Sequence, residues 1–161
     1  MVSLKPINSW EDFEAMTGLE VHEEQKKFVE TNEASFAEAY ALWRFNDNEP
    51  YVLGIYDGDT PVGFTIFCYE IAQSNRNDRL GEPVYFLWHI MIDKNHQGKG
   101  YGKLALAQII ETVSKKPLGD ANWFYTWIVP GCTAHKLYLN AGFVETSGGE
   151  GGSDVILRLA L

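Results

Sequence analysis

The feature that most constrains the fold is a glycine-rich segment between an apolar strand pattern and a long amphipathic helix pattern. It reads Gln97-Gly98-Lys99-Gly100-Tyr101-Gly102-Lys103. Alternating glycines let a backbone press against a ligand. The first amides of the helix that follows have no partner within it, and the helix dipole adds partial positive charge at that end. A strand, a glycine-rich turn and a helix N-terminus in this order predict an anion site, most often for phosphate.

The spacing of these glycines excludes two common phosphate loops. A P-loop requires G-x-x-x-x-G-K-[ST], but Lys103 has the wrong spacing and precedes Leu104, which has no hydroxyl for magnesium. The dinucleotide fingerprint G-x-G-x-x-G is not supplied by glycines at 98, 100 and 102. The pattern that fits is Q-x-x-G-x-G, formed by Gln97, Gly100 and Gly102.

Length and composition predict a single domain, residues 1–161, in the cytoplasm. No apolar run approaches the roughly 20 residues of a membrane span, and the N-terminus lacks the apolar core of a signal peptide. Cys68 and Cys132 lack metal-ligand spacing and are interpreted as reduced thiols. A net charge of -9 argues against nucleic acid as a partner.

The negative charge is concentrated in one segment. Residues 11–49 hold eleven Asp and Glu against Lys26, Lys27 and Arg44, which is -8 of the -9. Such a segment forms either a cation-attracting surface or two solvated helix faces, and both interpretations stay open.

Hydrophobic periodicity and turn residues predict the element order βααββ-β-αβαβ-β. The expected strands cover residues 4–7, 51–56, 61–69, 84–92, 122–129, 143–147 and 154–161. The expected helices begin at Ser9, at Ser35, after the glycine segment and near Ala134. Ser9 with Asp12 and Ser35 with Glu38 resemble capping boxes that open the first two helices. A hairpin turn at 57–59, an exposed loop at 72–83 and a glycine turn at 148–152 complete the pattern.

Three segments together resemble the GNAT superfamily of acyl-CoA-dependent N-acetyltransferases. These are the Q-x-x-G-x-G loop, the strand end Ile90-Met91-Ile92-Asp93 five residues before it, and the stretch 134–143, which matches the A-x-x-L-Y-x-x-x-G-F helix of the family. The resemblance implies an α/β (α+β) fold, with one mixed, mostly antiparallel central sheet flanked by helices. Patterns in residues 19–40 and 61–64 also resemble a bacterial branch assigned as spermine/spermidine acetyltransferases.

The resemblance implies acetyl-CoA as co-substrate. No metal is expected, because no His, Cys and Asp cluster has metal-ligand spacing. The amides of Gly98, Lys99, Gly100, Tyr101, Gly102 and Lys103 are expected to hold the CoA pyrophosphate, with Gln97 bracing the turn. The side chains of Lys99 and Lys103 either add charge to the phosphates or point into water. The backbone of Ile90, Met91 and Ile92 is expected to bind the pantetheine arm and to stabilise the thioester oxygen as charge develops on it.

Tyr138 is the expected proton donor to the departing CoA thiolate, since a phenol of pKa about 10 can protonate an incipient thiolate held close to it. The alternative is an aromatic side chain that packs beside Leu137. The asparagine that usually opens this pattern is replaced by Gly131, which removes a side-chain contact to the cofactor arm. Backbone, water or Thr133 are the candidates to replace that contact.

The general base is left open by the sequence. His89 on the central strand is one candidate, because its ordinary pKa lies near neutrality, although a strand histidine is more often structural. Glu70, Glu82 and the acidic N-terminal helices are the others.

The leading functional prediction is transfer of acetyl to a primary amine by direct attack, with a small cationic acceptor such as a polyamine. Acetylation of protein or peptide amines is an alternative, because the same surface charge suits lysine-bearing substrates. A non-catalytic acyl-CoA-binding module is the third. A homodimer is compatible with the aromatic C-terminal half, and no nucleic-acid or membrane partner is expected.

Overall fold

The computed structural model describes residues 1–46, 50–70, 81–146 and 154–161. Most of the predicted loop 72–83 and the predicted glycine turn 148–152 lie outside these residues.

The described elements follow the predicted order. The strands are β1 (Val2–Pro6), β2 (Tyr51–Asp57), β3 (Thr60–Glu70), β4 (Val84–Ile92), β5 (Trp123–Ile128), β6 (Val144–Thr146) and β7 (Val155–Ala160). The helices are α1 (Trp10–Thr17), α2 (Asn32–Asn46), α3 (Tyr101–Ser114) and α4 (His135–Asn140), with a short 3-10 helix at Glu23–Gln25.

The seven strands form one sheet in the order β1-β2-β3-β4-β5-β7-β6. All neighbours are antiparallel except β4 and β5, which are parallel and pair only at Tyr85–Phe124 and Phe86–Tyr125. Beyond those two pairs β4 and β5 separate, which leaves a gap in the middle of the sheet. The prediction of a mixed, mostly antiparallel sheet flanked by helices is confirmed.

Helices cover both faces of the sheet. Leu106, Ile109 and Val113 of α3 are buried with Tyr138 of α4 in one core cluster. On the other face, Met16 of α1 and Ala39 of α2 pack with sheet residues in a second cluster. The apolar stripe of α3 has the spacing expected of a helix that presents one side to a sheet. Helices therefore pack on both faces of the sheet, and the gap between β4 and β5 lies between them.

A bulge interrupts β4 at Trp88. Ile66 of β3 is paired with His89 and Phe67 with Leu87, so Trp88 is an extra residue on β4. Side chains of a regular strand alternate between faces, but a bulge sends neighbours to the same face. Trp88 and His89 both contact α2, through Glu38 and Ser35 respectively.

The predicted cap of α1 is confirmed, and that of α2 is wrong. Ser9 Oγ accepts a hydrogen bond from the Asp12 N–H at 3.0 Å. Helix α2 begins at Asn32, where Thr31 Oγ1 accepts from the Ala34 N–H at 3.2 Å. Ser35 lies one turn inside the helix, and its hydroxyl bonds the ring of His89.

No helix within the described ranges is both long and apolar enough to cross a membrane. Neither Cys68 nor Cys132 is in a disulfide among the described residues; the first is buried and the second partly exposed.

Candidate active site

A cavity of about 700 Å³ occupies the gap between β4 and β5. Its walls come from 86–92 of β4, 126–128 of β5, the glycine segment with the first turn of α3, and the beginning of α4. The acid-rich N-terminal segment supplies a further wall from the region of the 3-10 helix and from α2. The cavity thus unites the predicted cofactor loop, the central strand and the acidic segment.

The glycine segment turns into α3 at Gly100, which is the N-cap residue. Gly98 and Gly100 have φ of +77° and +82°, a region that favours glycine, and a Cβ at either position would meet nothing within 4 Å. Open space therefore lies above the loop, at the end of a helix whose first amides lack intrahelical partners. This cradle fits a pyrophosphate.

The two lysines of the segment differ in position. Lys103 lines the cavity, whereas Lys99 is outside its lining and donates from Nζ to the Asn95 carbonyl at 3.2 Å. The Tyr101 hydroxyl turns to the Asp57 carboxylate at 2.7 Å. Of the two lysine side chains, only that of Lys103 is in position to add charge to a ligand in the cavity.

Gln97 joins the glycine segment to two other parts of the wall. Its Nε2 donates to the Ile92 carbonyl at 2.9 Å, and its amide group is paired with that of Gln25. The end of β4, the glycine turn and the 3-10 helix are therefore held together by one side chain.

From Trp88 to Ile92 the edge of β4 that faces β5 has no partner strand, since the described pairing stops at Phe86, although the Ile92 carbonyl accepts from Gln97. Thr126 Oγ1 donates to the Leu87 carbonyl at 3.1 Å and closes the narrow end of the gap. Unpaired backbone groups on a strand edge bind an extended partner as an added strand. Ile90, Met91 and Ile92 lie on this open edge, beside the glycine segment, so their backbone fits an extended pantetheine arm.

Tyr138 lies at the wall of the cavity and is 4% exposed. Burial raises the pKa of its phenol well above the ordinary value, and a hydrogen bond with the Thr126 side chain acts in the opposite direction. The hydroxyl therefore keeps its proton at any physiological pH. Its ring also packs edge-on against Phe143, with centroids 5.5 Å apart, so Tyr138 has a structural contact as well.

Gly131 has φ of +84° and open space at the Cβ position. Asparagine tolerates the same left-handed backbone better than most residues, so this turn suits both residue types. Cys132 and Thr133 line the cavity next to it. Thr133 does not cap α4, whose N-cap is Ala134.

His89 is 4% exposed and both ring nitrogens have partners. Nδ1 lies 3.0 Å from Ser35 Oγ, and Nε2 lies 3.1 Å from Asn32 Oδ1. Burial lowers the pKa of His89 to about 4. The imidazole is therefore neutral at pH 7, and neither nitrogen is free to meet a substrate.

Among the described residues, the carboxylates that line the cavity are Glu30, Glu38 and Asp154. Glu70 and Glu82, the other base candidates, are not among its lining residues, and Glu82 accepts from the Asn122 side chain at 3.0 Å. Glu38 is partly buried and accepts a hydrogen bond from Trp88 Nε1 at 2.6 Å. The sequence analysis pointed to the acidic segment as a whole, and the rotation of α2 and the loop before it bring Glu30 and Glu38 of that segment to the cavity, whereas Asp154 comes from the C-terminal part of the chain.

Aromatic rings accompany the carboxylates. Phe28, Phe86, Trp88 and Trp127 all line the cavity. Ring faces carry negative potential and attract cations, so carboxylates and aromatic rings together suit an alkylammonium group. Among the described residues, no group of three or more His, Cys, Asp or Glu side chains could hold a metal ion.

The sequence over residues 13–143 matches the acetyltransferase (GNAT) family. None of the curated proteins gives a significant match. The PaiA N-acetyltransferase of Thermoplasma acidophilum, solved with coenzyme A, is 16% identical with a TM-score of 0.67, covering 100% of this chain and 99% of that chain. The ribosomal-protein-S18-alanine N-acetyltransferase of Escherichia coli is 16% identical with a TM-score of 0.63, covering 99% and 94%. An acetyltransferase of Bacillus subtilis, solved with CoA, is 16% identical with a TM-score of 0.57, covering 99% and 97%.

At these identities the solved structures show a shared fold, while the family match spans most of the sequence. The chain therefore belongs to the GNAT acetyltransferase family and is an N-acetyltransferase that uses acetyl-CoA.

Proposed function

We propose that the protein acetylates a primary amine of a small polycation, such as spermidine, by direct attack on acetyl-CoA. The observation that carries this proposal is the lining of the cavity: Glu30, Glu38 and Asp154 surround it with negative charge, alongside aromatic rings. Within the described residues its one lysine, Lys103, belongs to the glycine segment. The proposal also agrees with the resemblance to the spermine/spermidine branch.

The co-substrate site follows from the backbone. The amides from Gly98 to Lys103 bind the pyrophosphate, and Lys103 adds a positive charge at the cavity mouth. The pantetheine arm lies along the open edge of β4 at Ile90–Ile92. An amide of that edge donates to the thioester oxygen as negative charge builds on it, which lowers the barrier because the donor is already in place.

The acceptor amine must lose a proton before it can attack. We assign this step to Glu38, which lines the cavity on α2 and is held by the Trp88 indole at 2.6 Å. The carboxylate binds the ammonium form and receives one proton directly or through a water. His89 is poorly suited to the step, since its Nδ1 is already bonded to Ser35 and its pKa is about 4.

The free amine then attacks the thioester carbonyl, and the C–S bond breaks as the tetrahedral intermediate collapses. Tyr138 donates its phenolic proton to the leaving sulfur. Burial raises the pKa of the phenol, so the proton that it donates is present at neutral pH. The nitrogen loses its second proton to solvent as the amide forms, and Glu38 releases the proton that it received. The tyrosinate is reprotonated from solvent, and acetylated amine and CoA leave.

A panel of amines, assayed by thiol detection of released CoA, tests the proposal. Spermidine, spermine and putrescine are expected to be turned over, and Glu38→Gln is expected to lower kcat/KM for spermidine by about 100-fold. Glu33→Gln, an exposed carboxylate on the same helix, is the matched control and should keep activity. Turnover of peptide N-termini alone would assign the enzyme to protein amines, and CoA binding without turnover of any amine would indicate a binding module.

A further inference from the structure

Three buried polar side chains form a hydrogen-bonded series that ends at the cavity. Asn32 Oδ1 lies 3.1 Å from His89 Nε2, and His89 Nδ1 lies 3.0 Å from Ser35 Oγ. All three residues are at most 4% exposed, and Ser35 and His89 line the cavity. The acetyl-transfer steps described above make no use of this series.

The direction of the series is set at Asn32. Its Nδ2 donates to the Met16 carbonyl at 2.7 Å and lies 3.4 Å from the Leu19 carbonyl. A carbonyl oxygen can only accept, so the NH2 end of the amide faces α1 and the loop after it. The oxygen end therefore faces His89.

The proton positions on the histidine and the serine follow from that orientation. Because Asn32 Oδ1 only accepts, His89 Nε2 carries the ring proton. A neutral imidazole has one donor and one acceptor, so Nδ1 accepts. The Ser35 hydroxyl must then donate to Nδ1, which leaves the lone pairs of Ser35 Oγ as its remaining hydrogen-bonding capacity.

We propose that Ser35 binds the acceptor by accepting a hydrogen bond from its amine N–H, with His89 and Asn32 as positioning residues. The inference rests on the proposed function and adds a specificity-determining residue to it. An oxygen that offers only lone pairs selects ligands that donate. It favours a primary amine over a quaternary ammonium of the same charge, which has no N–H.

The position of Ser35 relative to Glu38 supports this assignment. The two residues are three apart on α2, so they lie on the same face of the helix, and both line the cavity. A primary ammonium has three N–H groups. One proton goes to Glu38, a second N–H donates to Ser35 Oγ, and the nitrogen lone pair freed by the first transfer is available for attack on the thioester carbonyl.

Three substitutions distinguish the two functions of Ser35, which are to accept a hydrogen bond from the ligand and to donate one to His89 Nδ1. Ser35→Cys keeps a donor for His89 Nδ1 but is a weak acceptor, Ser35→Ala lacks both functions, and Ser35→Thr keeps the hydroxyl. The probes are n-propylamine and propyltrimethylammonium, titrated calorimetrically into protein saturated with CoA. We expect Ser35→Ala and Ser35→Cys to bind propylamine about tenfold more weakly than wild type, and Ser35→Thr to bind it as wild type does.

Propyltrimethylammonium controls for charge, and wild type and the three Ser35 variants should bind it with the same affinity. Nitrogen NMR of the His89 ring should show the proton on Nε2 in wild type and in Ser35→Cys. A purely structural role for Ser35 would change both probes together. Equal propylamine affinity in wild type and Ser35→Cys, including no measurable binding to either, would overturn the inference, as would a proton on Nδ1.

The same measurements distinguish this inference from the proposed function. If wild type discriminates the two probes through Ser35 but does not turn over spermidine, the polyamine proposal fails and the role of Ser35 stands. If spermidine is turned over and Ser35→Cys leaves its KM unchanged, the polyamine proposal stands and the role of Ser35 fails.

Discussion

Gln25 and Gln97 exchange two hydrogen bonds across 72 residues of sequence. Gln97 Nε2 donates to Gln25 Oε1 at 2.8 Å, and Gln25 Nε2 donates to Gln97 Oε1 at 3.1 Å. Gln25 Oε1 also accepts from the His22 N–H at 3.1 Å. The pair therefore ties the wall formed by the acidic segment to the loop that is expected to hold the CoA pyrophosphate.

Gln25→Ala is expected to weaken CoA binding although Gln25 belongs to the acidic wall. The substitution leaves the Gln97 amide with its bond to Ile92 alone, so the turn before Gly98 is less firmly held. Loss of one neutral hydrogen bond predicts about a fivefold higher Kd, measured by calorimetry. Glu24→Ala, an exposed neighbour on the same 3-10 helix, is the control. Unchanged CoA affinity in Gln25→Ala would show that the pair does not support the loop.

Tyr138→Phe is expected to lower kcat about 100-fold or more while the Kd for CoA stays unchanged. The ring remains to pack against Phe143, so the fold should be retained, and only the proton for the leaving sulfur is lost. Turnover is measured by release of CoA thiol, and binding by calorimetry.

Tyr69→Phe is the matched control for this substitution. Tyr69 belongs to the same buried cluster, but its hydroxyl donates to the Asp120 carbonyl at 3.0 Å. Tyr69→Phe should lower the free energy of unfolding and leave kcat close to that of wild type. A Tyr138→Phe enzyme with full kcat would support the packing interpretation of this residue.

Local signals in the sequence predicted the parts of the fold that depend on near neighbours. The glycines at 98 and 100 permit the left-handed backbone that a tight turn needs, and they adopt it here. The spacing of Leu106, Ile109 and Val113 gives a helix one buried side against a sheet. The loop, α3 and the strand before them were therefore predictable together.

The start of α2 was mispredicted because two residues compete for one role. Thr31 and Ser35 both have side chains that can cap a helix, and the S-x-x-E pattern favours Ser35. In the structure Thr31 caps the helix, while Ser35 forms a hydrogen bond with His89, 54 residues away. Pattern analysis does not include such a contact.

The bulge at Trp88 could not be predicted from the sequence either. Regular alternation would place Trp88 and His89 on opposite faces, whereas the extra residue directs both toward α2. The extra residue lets Glu38 bond Trp88 and Ser35 bond His89. The wall of the cavity proposed to bind the acceptor could therefore not be predicted from the sequence.

Gly131→Asn is expected to strengthen CoA binding a few-fold. The backbone φ of +84° is tolerated by asparagine, and a side chain there meets no atom within 4 Å at its Cβ. The new amide restores the side-chain contact to the cofactor arm that the family resemblance implies. Calorimetry with CoA provides the measurement.

Gly131→Ala is the control for the backbone, because alanine takes the same strain without the amide. It should be less stable than wild type, with CoA affinity no better. If Gly131→Asn binds CoA no more tightly than Gly131→Ala, this turn does not face the cofactor arm.

His89 is expected to make the free energy of unfolding depend on pH below neutrality. Burial lowers the pKa of the folded imidazole from 6.5 to about 4, so the unfolded chain binds its proton more readily. Its contribution to the free energy of unfolding is therefore fully present above pH 6.5 and is lost as the pH falls toward 4.

This lowering of the His89 pKa corresponds to about 3 kcal/mol in the free energy of unfolding. The ring partners of His89 among the described residues are Ser35, Asn32 and Phe64, which are all uncharged, and burial is the cause of the lowered pKa. Urea unfolding at pH 7 and pH 4.5 measures the effect, and His89→Gln should lose less stability over that interval. Carboxylates titrate in both proteins, so the difference between the stability lost by wild type and that lost by His89→Gln gives the contribution of the histidine. Equal losses would mean that the pKa of His89 is not depressed in the folded protein.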